Sequence, residues 1–424
     1  MAEAAREPDG APPSPAPEPT PPAMTELRIA ARTAYPEGLI DLSRSEPLPV
    51  PVADACAERM QEEFMRARLY SPPGGLMPTR EAVARHVSAR TGLEIGADRV
   101  AIAAGAMHGI SISLRALVEP GAEVLVPVPY FHAHPQQVSM LGATPRFVDT
   151  RPLQGVLTPE AVERELTSRT RALVLCNPSN PAGVVLSRAE LEAIFAVLPP
   201  HVAVIGDEVY AEYLYDGRLA SMLEVAEREA SAPAPGAPDG REVVIVSTAS
   251  KTAGMPGWRV GSAVGTPGLA PRLAQAAATM SGAPSTPAQL AYAAWLDDPP
   301  EIDRMAPYRP RLRDVLEALA DTGAEVREPQ GTYYVWATAP SSAADSRPSE
   351  NGAAAPAFGS AEGVLAVARE TGVLVWPGIL FGDPESVRIS LSVPRRDLRK
   401  GVSKLTDPWR EVWSRDIPVS RPRG

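Results

Sequence analysis

Glu242-Val-Val-Ile-Val-Ser247-Thr-Ala-Ser-Lys251-Thr-Ala-Gly-Met-Pro-Gly-Trp-Arg259 is an apolar run that breaks into a turn rich in glycine and hydroxyls. The run 243–246 has the length of a buried strand, and Gly254, Pro256 and Gly257 end it. A lysine held where such a strand stops loses solvation, and a nearby cation such as Arg259 lowers its pKa further. The result is a neutral amine able to condense with an aldehyde. The surrounding hydroxyls, Thr248 and Ser250 among them, suit a phosphate together with Arg259. Aldehyde and phosphate on one ring describe pyridoxal 5'-phosphate. The same segment also reads as a surface lysine in a loop.

Two more apolar runs end in polar groups. Leu173-Val-Leu-Cys176-Asn177-Pro178-Ser179-Asn180-Pro181-Ala182-Gly183 presents Asn180 at a strand's C-terminal end, where an amide can donate to the cofactor's phenolate oxygen. An ordinary Asx-turn is the other reading. His201-Val-Ala-Val-Ile-Gly-Asp207-Glu208-Val-Tyr210 places a carboxylate at another strand tip, where Asp207 can keep a pyridine nitrogen protonated and Tyr210 can reach the same oxygen as Asn180. Asp207 can equally be a helix cap.

Strand-like and helix-like segments alternate up to about Pro300, with strands expected at 100–103, 124–128, 146–149, 172–176, 202–205, 243–246 and 259–264. That alternation predicts an α/β fold, a mainly parallel seven-stranded sheet flanked by helices with sites at strand C-termini. From Glu301 the pattern changes to a helical stretch over 301–320 and a strand pair, 332–336 and 387–391, a smaller α+β domain. The division expected is a disordered Pro/Ala-rich tail at 1–23, part of the small domain at 24–60, a large cofactor domain at 61–300, and the rest of the small domain at 301–424. Biased stretches at 230–240 and 339–358 read as surface insertions.

The chain resembles the fold type I pyridoxal-phosphate enzymes, and within them the class I/II aminotransferases. Asn180-Pro-Ala-Gly183, Asp207-Glu-Val-Tyr210 and Ser250-Lys251-Thr through Gly257-Trp-Arg259-Val-Gly261 stand in that family's order and spacing. The resemblance implies a phosphate cradle at Gly105 and Ala106, with alanines where the family usually carries hydroxyls. It implies Phe131 stacked on the cofactor face and His134 behind Asp207. Tyr70 resembles the tyrosine that reaches the other subunit's phosphate, which implies a homodimer. Arg388 matches the arginine that grips the substrate α-carboxylate, and Ser45 stands where a glycine usually precedes Glu-Pro, beside that carboxylate.

Composition sets the outer bounds. A chain of 424 residues with net charge -10 can bury a large core and disfavours nucleic acid and anionic membrane surfaces. Cys56 and Cys176 form neither a disulfide framework nor a metal-ligand spacing, so no metal is expected and a reducing, cytoplasmic setting is. No apolar run reaches the roughly 18 residues of a membrane helix, and the N-terminus lacks a signal peptide's apolar core.

The function implied is transfer of the α-amino group of an amino acid to a keto acid, with Lys251 as imine-forming amine and then base for the α-proton. A β/γ-lyase or cyclase related to the 1-aminocyclopropane-1-carboxylate synthases is the alternative, favoured by Ser45, Ala104 and the stretch Pro127-Val-Pro129-Tyr130-Phe131. A ligand-sensing domain fused to a DNA-binding segment is disfavoured, because the N-terminal segment is short and acidic. Between Ala274 and Trp295 there is no arginine or lysine, which disfavours aspartate as substrate.

Overall fold

The structure is a computed structural model that describes residues 24–36, 38–51, 56, 58, 61, 68–231, 240–339 and 357–414. The tail 1–23, and residues 232–239 and 340–356 of the two biased stretches, lie outside them.

The strands are β1 (Ile40–Asp41), β2 (Val100–Ala103), β3 (Glu123–Val128), β4 (Thr144–Asp149), β5 (Thr170–Cys176), β6 (Ala203–Asp207), β7 (Val243–Thr248), β8 (Gly261–Gly265), β9 (Glu325–Val326), β10 (Tyr334–Thr338), β11 (Val373–Leu374), β12 (Trp376–Pro377) and β13 (Ser386–Ser390). Seven of them form one sheet in the order β2-β8-β7-β6-β5-β3-β4. β8 runs antiparallel to both neighbours and the other pairs are parallel.

Side chains alternate across a strand, and here both faces are apolar. Leu173, Leu175, Val204, Val243 and Ile245 enter one core with the helices Met77–Thr91, Arg188–Val197, Met222–Ser231 and Thr286–Asp297. Ala172, Val174, Ile205, Val244 and Val246 enter the other, against Ala106–Leu117 and Leu269–Met280. Near-continuous Val/Ile/Leu runs are what a parallel sheet covered on both faces requires, so the seven-stranded α/β fold expected from the sequence is present.

A third core lies apart. It gathers Met24, Leu27 and Ala31 of the helix Met24–Ala34, the helices Arg309–Leu319 and Ala361–Thr371, and the antiparallel sheet β12-β13-β10-β9. β1 joins β11 in parallel, which fastens the N-terminal segment to the C-terminal one.

Several boundaries differ from expectation by one to eight residues, three of them for a local physical reason. β8 starts at Gly261 rather than 259, because Arg259 is left-handed at φ 54° and cannot sit in a strand. Thr332, at φ 66°, likewise delays β10 to Tyr334. The helix expected over 301–320 begins only at Arg309. Asp303 accepts from the N–H groups of Met305 and Ala306 at 2.9 and 3.1 Å and makes a turn instead, while Pro310 is tolerated in the helix's first turn.

Candidate active site

β5, β6 and β7 lie side by side with Cys176 opposite Asp207 and Asp207 opposite Val246, so the three polar strand ends meet along one edge of the sheet. β7 ends at Thr248, whose hydroxyl accepts from Ser250 N at 3.2 Å and caps the short helix Ala249–Thr252. Lys251 is in that turn, and Tyr213 donates from its hydroxyl to Lys251 O at 2.8 Å. Its Nζ donates to Ser45 O at 2.6 Å and stands 5.4 Å from the centre of the Tyr210 ring. Burial holds the Lys251 amine below the ordinary lysine value; Arg388 pushes the same way, while Tyr334, Glu46 and Asp207 oppose it.

The lysine opens on a cavity of about 340 Å³. Of the residues singled out in the sequence, Ser45, Ala106, Phe131, His134, Asn180, Asp207, Tyr210, Thr248, Ser250 and Arg259 line it beside Lys251. Asp207 is buried, and His134 Nε2 lies 3.2 Å from its Oδ2. Gly105, at φ 82°, precedes the helix Ala106–Leu117, whose first residues Ala106 and Met107 line the cavity. A Cβ on Gly105 would stand 2.6 Å from Arg259 Nη2, so only glycine lets the guanidinium approach this helix N-terminus. Free backbone N–H groups, the helix dipole and a guanidinium together favour an anion.

Arg388 does not border the cavity directly. It is buried on β13, donates from Nη1 to Asn180 Oδ1 at 2.8 Å and from Nη2 to Ser45 Oγ at 3.0 Å, and stacks 3.9 Å from the Tyr334 ring centre. An arginine only donates, so Asn180 turns its oxygen to Arg388 and leaves its NH₂ for the cavity. No carboxylate pairs with Arg388 among the described residues, and its Nε is buried without a partner. Tyr70 is elsewhere, in a loop and fully exposed at 100%.

Several residues at the site carried no signal in the sequence. Tyr333 and Tyr334 both donate to Ser45 O, at 2.8 and 3.3 Å, the same carbonyl that accepts from Lys251. Both fall in the expected strand 332–336, but Tyr333 lies outside β10, and the two rings stand 4.7 Å apart with both hydroxyls on the one carbonyl. Tyr210 and Tyr334 hydroxyls are 3.0 Å apart. Burial pushes Tyr210 well above the ordinary phenol value; burial pushes Tyr334 the same way, but the cations Lys251 and Arg388 together with the neighbouring tyrosine hydroxyls bring it below. Tyr334 spends its one hydroxyl proton on Ser45 O, so Tyr210 is the donor of the pair. Arg28, from the helix Met24–Ala34, also borders the cavity; it is held by Ser43 and Asp41 and lies 5.7 Å from the Trp376 ring centre. His132 and Trp376 border it too. No spacing in the sequence links these segments. In the Phe131–His132–Ala133–His134 turn the family resemblance implies roles for Phe131 and His134 alone.

Residues 37–405 match the family described as aminotransferase class I and II. The aspartate/prephenate aminotransferase of Thermus thermophilus is 30% identical over 379 residues, 87% of this chain and 90% of the relative. The aspartate aminotransferase of Geobacillus stearothermophilus is 29% identical over 375 residues, with the same coverages. Among solved structures, Thermus thermophilus aspartate aminotransferase with maleate superposes with a TM-score of 0.78 at 28% identity, covering 92% of this chain and 97% of that one. No helix among the described residues is long and apolar enough to cross a membrane. With the family match spanning nearly the whole folded chain, the protein belongs to the class I and II aminotransferases, enzymes that use pyridoxal 5'-phosphate to transfer amino groups.

Proposed function

We propose that this enzyme moves the α-amino group of an amino acid to a keto acid in two half-reactions, with Lys251 as its central residue. The observation that carries the reading is the joining, in one cavity, of a lysine amine of lowered pKa, a buried Asp207 backed by His134, and the Gly105–Arg259 cradle. When bound, pyridoxal 5'-phosphate supplies an aldehyde for amines and a ring that takes up the electron pair left by the α-proton.

The residues fit that group. Thr248, Ser250, Arg259 and the N–H groups at Gly105 and Ala106 would hold its phosphate. Asp207, kept in place by His134, would hold a proton on the pyridine nitrogen. The Asn180 amide faces the cavity as donor to the ring oxygen; Tyr210 joins it by turning its hydroxyl from Tyr334. Phe131 would cover one ring face. Lys251 Nζ, neutral more readily than a solvated lysine, accepts the α-proton and returns it. Arg388 holds the substrate carboxylate, with Ser45 Oγ giving up Nη2 to it.

The lobe carrying Lys251 is 61–300, and 24–60 with 301–424 brings Arg388 to it. Tyr70 is exposed because its partner is the phosphate site of a second copy, which makes the protein a homodimer. Two free cysteines suit a reducing compartment such as the cytoplasm. The expectation against aspartate rests on the segment 274–295 alone, while Arg28 brings a further guanidinium to the cavity and relatives carry aspartate in their names. Dicarboxylic donors therefore belong in the substrate panel beside neutral and aromatic ones.

The panel also separates transfer from elimination or cyclisation. Each amino acid is incubated with the holoenzyme with and without a keto acid. Sustained turnover only with the acceptor is expected; sustained turnover without it would replace aminotransfer by the lyase or cyclase reading.

A further inference from the structure

His132 sits in the turn after β3, between Phe131 and His134, and none of the roles above uses it. It lines the cavity that holds Lys251. Tyr130 N donates to Phe381 O at 3.1 Å, which ties this turn to the segment Gly378–Phe381. The imidazole centre is 5.5 Å from that of Trp376 and 6.3 Å from that of Phe381. Arg388 leans on the same two rings, 4.5 Å and 5.2 Å from their centres. A substrate carboxylate on Arg388 thus starts the side chain beside the rings that support His132.

Among the described residues His132 has no hydrogen-bond partner, and Nδ1 is the nitrogen that is buried. A buried N–H without an acceptor is rarer and costlier than a lone pair without a donor. The proton therefore belongs on Nε2, the ring nitrogen that is not sealed off, on a residue that lines the cavity. Burial first, then Arg388 and His134, hold the pKa of the ring down to about 4. At neutral pH the group is one uncharged N–H donor.

We propose that His132 is a specificity-determining residue whose Nε2–H donates to an oxygen acceptor on the substrate side chain, selecting amino acids that carry one over apolar isosteres. The proposal rests on the aminotransfer reading, in which Arg388 takes the α-carboxylate. The physical basis is the N–H left unpaired when the side chain has no acceptor.

The test compares holoenzyme, His132→Phe and His132→Gln on asparagine against leucine, aspartate against 2-aminobutyrate, and tyrosine against phenylalanine. The ratio of kcat/KM within the recognised pair should fall about tenfold in His132→Phe, the scale of one hydrogen bond. It should recover in His132→Gln, whose amide nitrogen replaces Nε2, and the change should lie in KM. The pair that responds identifies the oxygen as amide, carboxylate or phenol. In parallel, the ¹⁵N signal of His132 Nε2 should move on adding succinamate, succinate or 4-hydroxyphenylpropionate, but not with the apolar carboxylate 4-methylpentanoate. Unchanged ratios in His132→Phe for all three pairs, or a signal indifferent to every acceptor, overturn the proposal. A wild-type enzyme that transfers no amino group while the Nε2 signal still responds would sink the aminotransfer reading and leave the assignment of His132 standing.

Discussion

Replacing Arg388 by alanine removes a buried guanidinium that has no carboxylate partner among the described residues. It is 1% exposed, holds Asn180 Oδ1 and Ser45 Oγ at 2.8 and 3.0 Å, and rests on Tyr334 and Trp376 at 3.9 and 4.5 Å. Burying a charge unpaired is costly, and aromatic faces offset only part of that cost. An arriving carboxylate supplies the missing partner in a water-poor setting. Truncating one side of such a pair costs about 2–5 kcal/mol, or about thirtyfold to several thousandfold in kcat/KM. Arg388→Lys keeps the charge but loses the two-pronged geometry, so it should fall between wild type and alanine. The assay takes kcat/KM for an amino acid and for the amine left when its carboxylate is removed. The wild-type preference for the amino acid should collapse by about thirtyfold or more in Arg388→Ala, with thermal unfolding recorded to show that the fold persists. If the ratio stays at the wild-type level in a folded variant, Arg388 is not the carboxylate anchor.

Ser45→Gly frees Arg388 Nη2 from a hydroxyl that a bidentate carboxylate must displace, so carboxylate ligands should bind more tightly by about 0.5–1.5 kcal/mol; weaker binding in a titration would refute this competition. Gly105→Ala puts a Cβ 2.6 Å from Arg259 Nη2 at φ 82°, and dialysis against graded cofactor should show its affinity reduced while circular dichroism stays native. The chain has three lysines, 251, 400 and 404, so borohydride reduction followed by peptide mapping should place the cofactor on Lys251, and a label on either of the others would refute the assignment. Because the Lys251 amine is held below the ordinary 10.5, the neutral form appears at lower pH than in a free lysine. Covalent capture of the cofactor by cofactor-free protein should therefore rise with pH around a midpoint below 10.5, and that midpoint should move up in Arg388→Ala, which removes a cation that lowers it.

The large sheet was legible because each strand is locally self-announcing. The run 243–246 must be buried on both faces, and the hydroxyl-rich, Gly/Pro-rich turn that follows it marks its end without reference to the rest of the chain. The motifs at Asn180, Asp207 and Lys251 were legible for the same reason, since each is a polar residue at the end of its own apolar run. Strand ends at 259 and 332 were misplaced because a left-handed φ at a non-glycine residue is imposed by surrounding packing and leaves no mark on composition.

What the sequence by itself determined is the α/β class, the strand-end constellation and its resemblance to one enzyme family. All of these depend on contacts between residues near in the chain, where periodicity and breakers are readable. Only the tertiary structure decided that Ser45, from the N-terminal segment, joins Lys251, Tyr333, Tyr334 and Arg388 through one carbonyl and one hydroxyl. It alone brought Arg28, His132 and Trp376 to the same cavity. Those residues come from segments up to hundreds of positions apart. Their meeting is set by how the third core closes over the sheet edge, a long-range packing outcome that no local pattern encodes.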